Sequence, residues 1–75
     1  MRNLSKRDDW KIIKDAYEVL KQYESYWMMD NDYRRKYEYV KEVATENHSY
    51  TCDTVTYIAD RALFLLDACK RIFDK

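Results

Sequence analysis

The chain has 75 residues, 14 basic and 14 acidic, for a formal net charge of zero. It therefore lacks the long-range positive field that drives non-specific nucleic-acid affinity and the anionic bias of a polynucleotide mimic. Glycine and proline are both absent, which disfavours positive-φ hairpins, phosphate-cradling loops and nucleophile elbows.

A chain of this length makes one domain at most. It buries only about 60% of the surface its unfolded form exposes, so an oligomer or partner is expected to add stability. The opening MRNLSKRDDW has no apolar leader core, and the longest uninterrupted apolar run is Ala62–Leu66. Both are unlike a signal or a membrane span, and a soluble, cytoplasmic protein is the expectation. Cys52 and Cys69 fit a reducing compartment; on one helix they would lie about 25 Å apart, too far to pair.

The first helix is predicted over about 5–29. Ser5-Lys6-Arg7-Asp8 has the form of a capping box, and Asp8 and Asp9 fall in the first turn, where the helix dipole favours anions. At helical spacing, Trp10, Ile13, Tyr17, Leu20 and Trp27 form one stripe, and Ile12, Ala16, Val19, Tyr23 and Tyr26 form a second. Together they span an arc of about 200°, interrupted by Glu24, where a helix covering one side of a core needs little more than about 100°. The excess predicts a second apolar contact.

Asp30-Asn31-Asp32 offers three N-cap candidates for a helix over 32–47. Tyr33, Tyr37, Val40, Ala44 and Asn47 share one face, with Val43 beside it and Tyr39 to one side. Asn47-His48-Ser49 can turn without glycine. Ser49 or Thr51 then caps a helix over 51–73, with Val55, Ile58, Ala59, Ala62, Leu65, Leu66, Cys69, Ile72 and Phe73 inward. Its start, TCDTVTYI, has the β-branched content of a strand, but the 3–4–7 spacing beyond it persists and predicts helix. The expected fold is all-α: a small three-helix bundle, or a helical hairpin plus a long C-terminal helix, completed by dimerisation.

Four features could carry function. Asp53, Asp60, Asp67 and Asp74 recur every seven residues and form an acidic ridge, with Asp67 placed to pair with Arg71. The plain reading is a solvated face; the sharper one is docking onto a basic surface, this protein's own or a partner's. Tyr57, Arg61, Phe64 and Ala68 form an outward stripe, in which Tyr57 and Arg61 can stack and Phe64 completes an aromatic–guanidinium patch. The plain reading of that stripe is core, since a third helix touches both others.

Arg34-Arg35-Lys36 opens the second helix at its cation-disfavouring end, where Asp30, Asp32 and Glu38 can neutralise Arg34. With Lys41 it could instead meet phosphate or an acidic partner. The glutamates Glu38 and Glu42 on that helix, and the zero net charge, weigh against a DNA-reading helix. His48 and Cys52 stand at i and i+4, but two groups do not make a zinc site, and no orienting group or oxyanion hole accompanies them. No enzyme, cofactor or metal is expected.

In its richness in Tyr, Lys and Asp, the chain as a whole resembles the small accessory proteins of phages and mobile elements in AT-rich bacteria. The resemblance implies binding to, and inhibition or redirection of, a larger host machine. It is compositional and assigns no residue. The leading expectation is a homodimeric helical protein that occupies a larger protein's surface, with Trp10, Tyr17, Tyr26 and Trp27 as one interface and Tyr57, Arg61 and Phe64 as the other. A DNA-associated regulator using Arg34, Arg35, Lys36 and Lys41 is the alternative, with a structural subunit of a larger assembly as a third reading.

Overall fold

The structure, a computed structural model, describes residues 8–46 and 50–73. It is all-α, with no strand among those residues: α1 (Asp9–Leu20), a 3₁₀ turn (Lys21–Tyr23), α2 (Glu24–Met28), α3 (Asn31–Thr45) and α4 (Cys52–Phe73). Three helical arms result, the first of them kinked.

Local chemistry sets most of the boundaries. The described part of the first arm is capped by Asp8, whose carboxylate accepts from the Lys11 N–H at 3.2 Å. The start expected at Ser5 lies outside the described residues. Of the three candidates before α3, Asp30 is the cap: it is extended and accepts from the Tyr33 N–H at 3.1 Å. Thr51 caps α4 by accepting from the Thr54 N–H at 3.1 Å. Lys70 and Arg71 close α4 with positive charge, which the dipole favours. The β-branched start of α4 is helical from Cys52 onward.

A kink interrupts the arm predicted to be continuous over 5–29. In an α-helix the Glu24 N–H would bond to the Leu20 carbonyl; here it bonds to the Lys21 carbonyl instead. The released Leu20 oxygen accepts from Trp27 Nε1 at 2.8 Å, so no buried polar group is left unmatched there. Three residues at the 3₁₀ advance of about 120° rather than 100° turn everything beyond them by about 60°. A straight helical wheel therefore misplaces Glu24 to Met28.

The three arms run up, down and up. Asp9 beside Thr56 and Tyr23 beside Phe73 make α1 and α4 parallel. Tyr33 lies beside Phe64, while Val43, later in α3, shares a groove with Thr54 and Ile58, earlier in α4, so α3 runs antiparallel to α4. The core is built from Ile13, Ala16 and Leu20 of α1, Trp27, Tyr37, Val40 and Val43, and the α4 face Val55, Ile58, Ala59, Ala62, Leu65, Ala68 and Cys69. Alanines at 59, 62 and 68 let the neighbouring backbones approach, while Trp27 and Tyr37 fill the volume near the kink. The wide face of α1 is largely used inside the chain, because it meets both α3 and α4. Ile12, Tyr17, Tyr23 and Tyr26 pack half-buried against the core. No helix among the described residues is long and apolar enough to cross a membrane.

Candidate functional site: the seam between α3 and α4

Two aromatic populations can be told apart, and they touch where Tyr33 meets Phe64. At the kinked end, Tyr23 stacks on Phe73 with centroids 4.2 Å apart, and Tyr26 meets Phe73 edge-on at 5.2 Å. Trp27 meets Tyr26 and Tyr33 edge-on, each at 5.3 Å. Such geometry matches the ring quadrupoles and adds to area burial. Trp27 is 0% exposed, which corrects its assignment to an external interface: its indole is walled in by its own chain. Tyr17 and Tyr26 are half-buried, Tyr17 against Tyr37. Of that proposed group only Trp10 is substantially exposed, at 37%, with its ring 6.1 Å from Tyr50.

The second population lies along the seam of α3 and α4. Tyr57 is 50% and Phe64 41% exposed, and Tyr39 of α3 is also exposed. The Arg61 guanidinium carbon sits 4.8 Å from the Tyr57 ring centroid, the stacking expected from i, i+4 spacing. Its Nε is buried with no hydrogen-bond partner among the described residues. Phe64 does not join those two; it faces α3, 6.2 Å from Tyr33 and under Lys36 Nζ at 5.1 Å. Ala68, expected to end the outward stripe, is instead part of the buried core.

Between Tyr39 and Tyr57 lies an open groove of about 310 Å³, lined also by the buried Val43 and Ile58 and by Tyr50 and Thr54. Its lining, tyrosines over aliphatic side chains with Glu42 at the rim, suits an inserted side chain better than an enclosed small molecule. Burial and the nearby Glu42 and Glu46 carboxylates push the Tyr50 phenol up, keeping it neutral.

The basic start of α3 is mostly engaged within the chain. The Arg34 guanidinium donates to Asn31 Oδ1 at 3.0 Å, an amide rather than the acids expected to neutralise it. Lys36 covers Phe64, and Lys41 Nζ pairs with Glu24 at 3.2 Å. Arg35 is exposed. Glu24 also accepts from the Tyr37 hydroxyl at 3.1 Å, which explains the acid that interrupts the apolar arc of the first arm. The Lys41 and Tyr37 hydrogen bonds hold the Glu24 carboxyl below its ordinary value, while burial first and Glu24 second push the Tyr37 phenol upward. This bridge between α2 and α3 has no signal in local spacing.

Asp53, Asp60 and Asp67 are exposed along α4, and Asp67 pairs with Arg71 at 3.2 Å as its i+4 spacing predicts. Asp74, the last member of the ridge, lies outside the described residues, as does His48. Cys52 is exposed and Cys69 buried; both are free thiols, and burial pushes the Cys69 thiol up. Among the described residues, no group of three or more His, Cys, Asp or Glu side chains is placed to hold a metal ion. No protein-family model matches the chain, and neither a curated protein nor a solved structure matches it.

Proposed function

We propose that this is a small, non-enzymatic helical protein that binds a larger protein and modulates it, by inhibition in the first instance, by occupying its surface. The observation that carries the reading is the α3–α4 seam. There the chain leaves Tyr39, Tyr57 and Phe64 exposed beside a stacked arginine, while other aromatics pack inside the same small fold. Tyrosine and arginine on a rigid helical face are the residue types that dominate binding energy at protein interfaces. The likeness in composition to phage and mobile-element accessory proteins points the same way.

Affinity capture from the native host, with wild type and with Arg61→Ala and Phe64→Ala chains, tests it. The expected result is a captured protein that both variants lose while their helical circular dichroism is kept. Identical capture by all three chains overturns the assignment of the seam. A salt-sensitive shift of duplex DNA that is lost in an Arg34→Ala/Arg35→Ala chain would favour the regulator reading instead. A chain that is unfolded without its partner would favour the structural-subunit reading.

A further inference from the structure

The groove between Tyr39 and Tyr57 has a lining that discriminates by charge. Tyr39, Tyr50 and Tyr57 border it, and among the described residues that line it Glu42 alone is charged. Glu42 is exposed, and its carboxylate makes no hydrogen bond or ion pair with the described residues. The Glu46 carboxylate acts with it on the Tyr50 phenol, so both acids lie close to the same ring. The bases nearby are placed elsewhere. Lys41, next to Glu42 in sequence, turns away to Glu24. Arg35 stands one turn before Tyr39 and Arg61 one turn after Tyr57, and neither lines the groove. With α3 and α4 antiparallel, these two arginines fall beyond the same end of it. Glu46 and the exposed Asp53 stand towards the other end, where α3 finishes and α4 begins.

From this lining we infer that the groove receives a cationic side chain, an arginine before a lysine, from the larger protein. The inference rests on the seam being the surface that meets that protein. An anionic group would face Glu42 and the negative faces of the rings. An apolar group would take Glu42 out of water with nothing to compensate it. A guanidinium meets both demands, because it stacks flat on a tyrosine and lays its fork on a carboxylate. Its aliphatic stem can lie along Val43 and Ile58. The chain uses the same chemistry beside the groove, with Arg61 4.8 Å from the Tyr57 centroid and Lys36 5.1 Å from that of Phe64. Since Arg61 already lies on Tyr57, Tyr39, 43% exposed, is the ring that takes the incoming head.

The test is an NMR titration of the isotope-labelled chain with N-acetyl-arginine amide. Saturable amide shifts are expected at residues 39–46 and 50–58, with a Kd of roughly 1–10 mM that weakens as salt is raised. The lysine amide should bind more weakly. The citrulline amide has nearly the same shape without the charge, and it should give no saturable shift there; nor should the norleucine amide. Glu42→Gln and Tyr39→Leu chains should each bind arginine at least about tenfold more weakly. Both positions are exposed, and circular dichroism checks that the helices are kept. Equal binding of arginine and citrulline overturns the inference, as does a Glu42→Gln chain that binds arginine as wild type does. Binding that appears only when Arg2, Lys6 and Arg7 are replaced by glutamine would make the chain's own N-terminal segment the occupant, and overturns it too. Affinity capture separates this inference from the assignment of the seam. A host protein lost with Arg61→Ala and Phe64→Ala but retained by Glu42→Gln overturns the arginine contact and leaves the seam standing. Capture indifferent to Arg61 and Phe64, from a chain whose groove binds arginine, overturns the seam instead.

Discussion

The two ends of this molecule use the same residue types in opposite ways. At the kinked end, Tyr23, Tyr26, Trp27 and Tyr33 interlock with Phe73, itself 37% exposed at the edge of the cluster, and the indole N–H holds a carbonyl that the 3₁₀ turn released. At the seam, Tyr39, Tyr57 and Phe64 stay exposed, and Arg61 lies on Tyr57. The first arrangement holds the fold together; the second gives it a surface. Composition alone cannot tell them apart, because a tyrosine's role depends on which helix lies across from it.

The contrast is broken most severely at Trp27. Trp27→Ala empties a fully buried site and should destabilise the fold by about 3–5 kcal/mol in urea unfolding. Trp27→Phe keeps most of the volume but leaves the Leu20 carbonyl unmatched, and should cost about 1–3 kcal/mol. If Trp27→Phe unfolds as wild type does, the kink does not depend on that hydrogen bond.

Next in size is the Glu24 bridge. Glu24 has its carboxyl lowered from 4.5 in the folded chain, chiefly by the hydrogen bond from Lys41 and then by that from Tyr37. Its stabilising effect is therefore complete above the unfolded value and is lost as pH falls through the lowered folded value. Urea unfolding from pH 7 to pH 3 should show wild type losing an advantage over Glu24→Gln, with the two curves converging in acid. Tyr37→Phe should cost about 1 kcal/mol at neutral pH and shift that convergence upward in pH, since the carboxylate loses one donor.

Substitutions on the seam should barely register in folding. Tyr57→Ala and Arg61→Ala are expected to change unfolding free energy by about 0.5–1 kcal/mol at most, the range of an exposed cation–π contact. Their effect belongs in binding, where losing a central aromatic or arginine commonly costs about 2 kcal/mol or more. A large loss of stability with unchanged binding would reverse the assignment of the two regions. The mildest probe alters no residue. With a thiol reagent at neutral pH, Cys52 should react at once, while the buried Cys69 should react far more slowly until the chain unfolds.

Much of the fold was legible because it is local. The Asp30 and Thr51 caps, the Asp67–Arg71 pair and the Tyr57–Arg61 stack all join residues at most four apart, where helix geometry alone dictates who meets whom. The all-α class and three helices followed from sustained spacing and from the lack of glycine and proline. The kink was not legible, since neither residue marks it, and the indole that satisfies the released carbonyl lies seven residues from it. Glu24 looked like a flaw in an apolar face until Tyr37 and Lys41, 13 and 17 residues away, were seen to meet it.

The sequence by itself determined the helices, their caps and their amphipathic faces, because those depend on contacts within a turn or two. Only the tertiary structure decided which aromatics are core and which are surface. That choice depends on α3 lying antiparallel along α4, which sets Phe64 against Tyr33 and Lys36 and leaves Tyr39 and Tyr57 open to solvent.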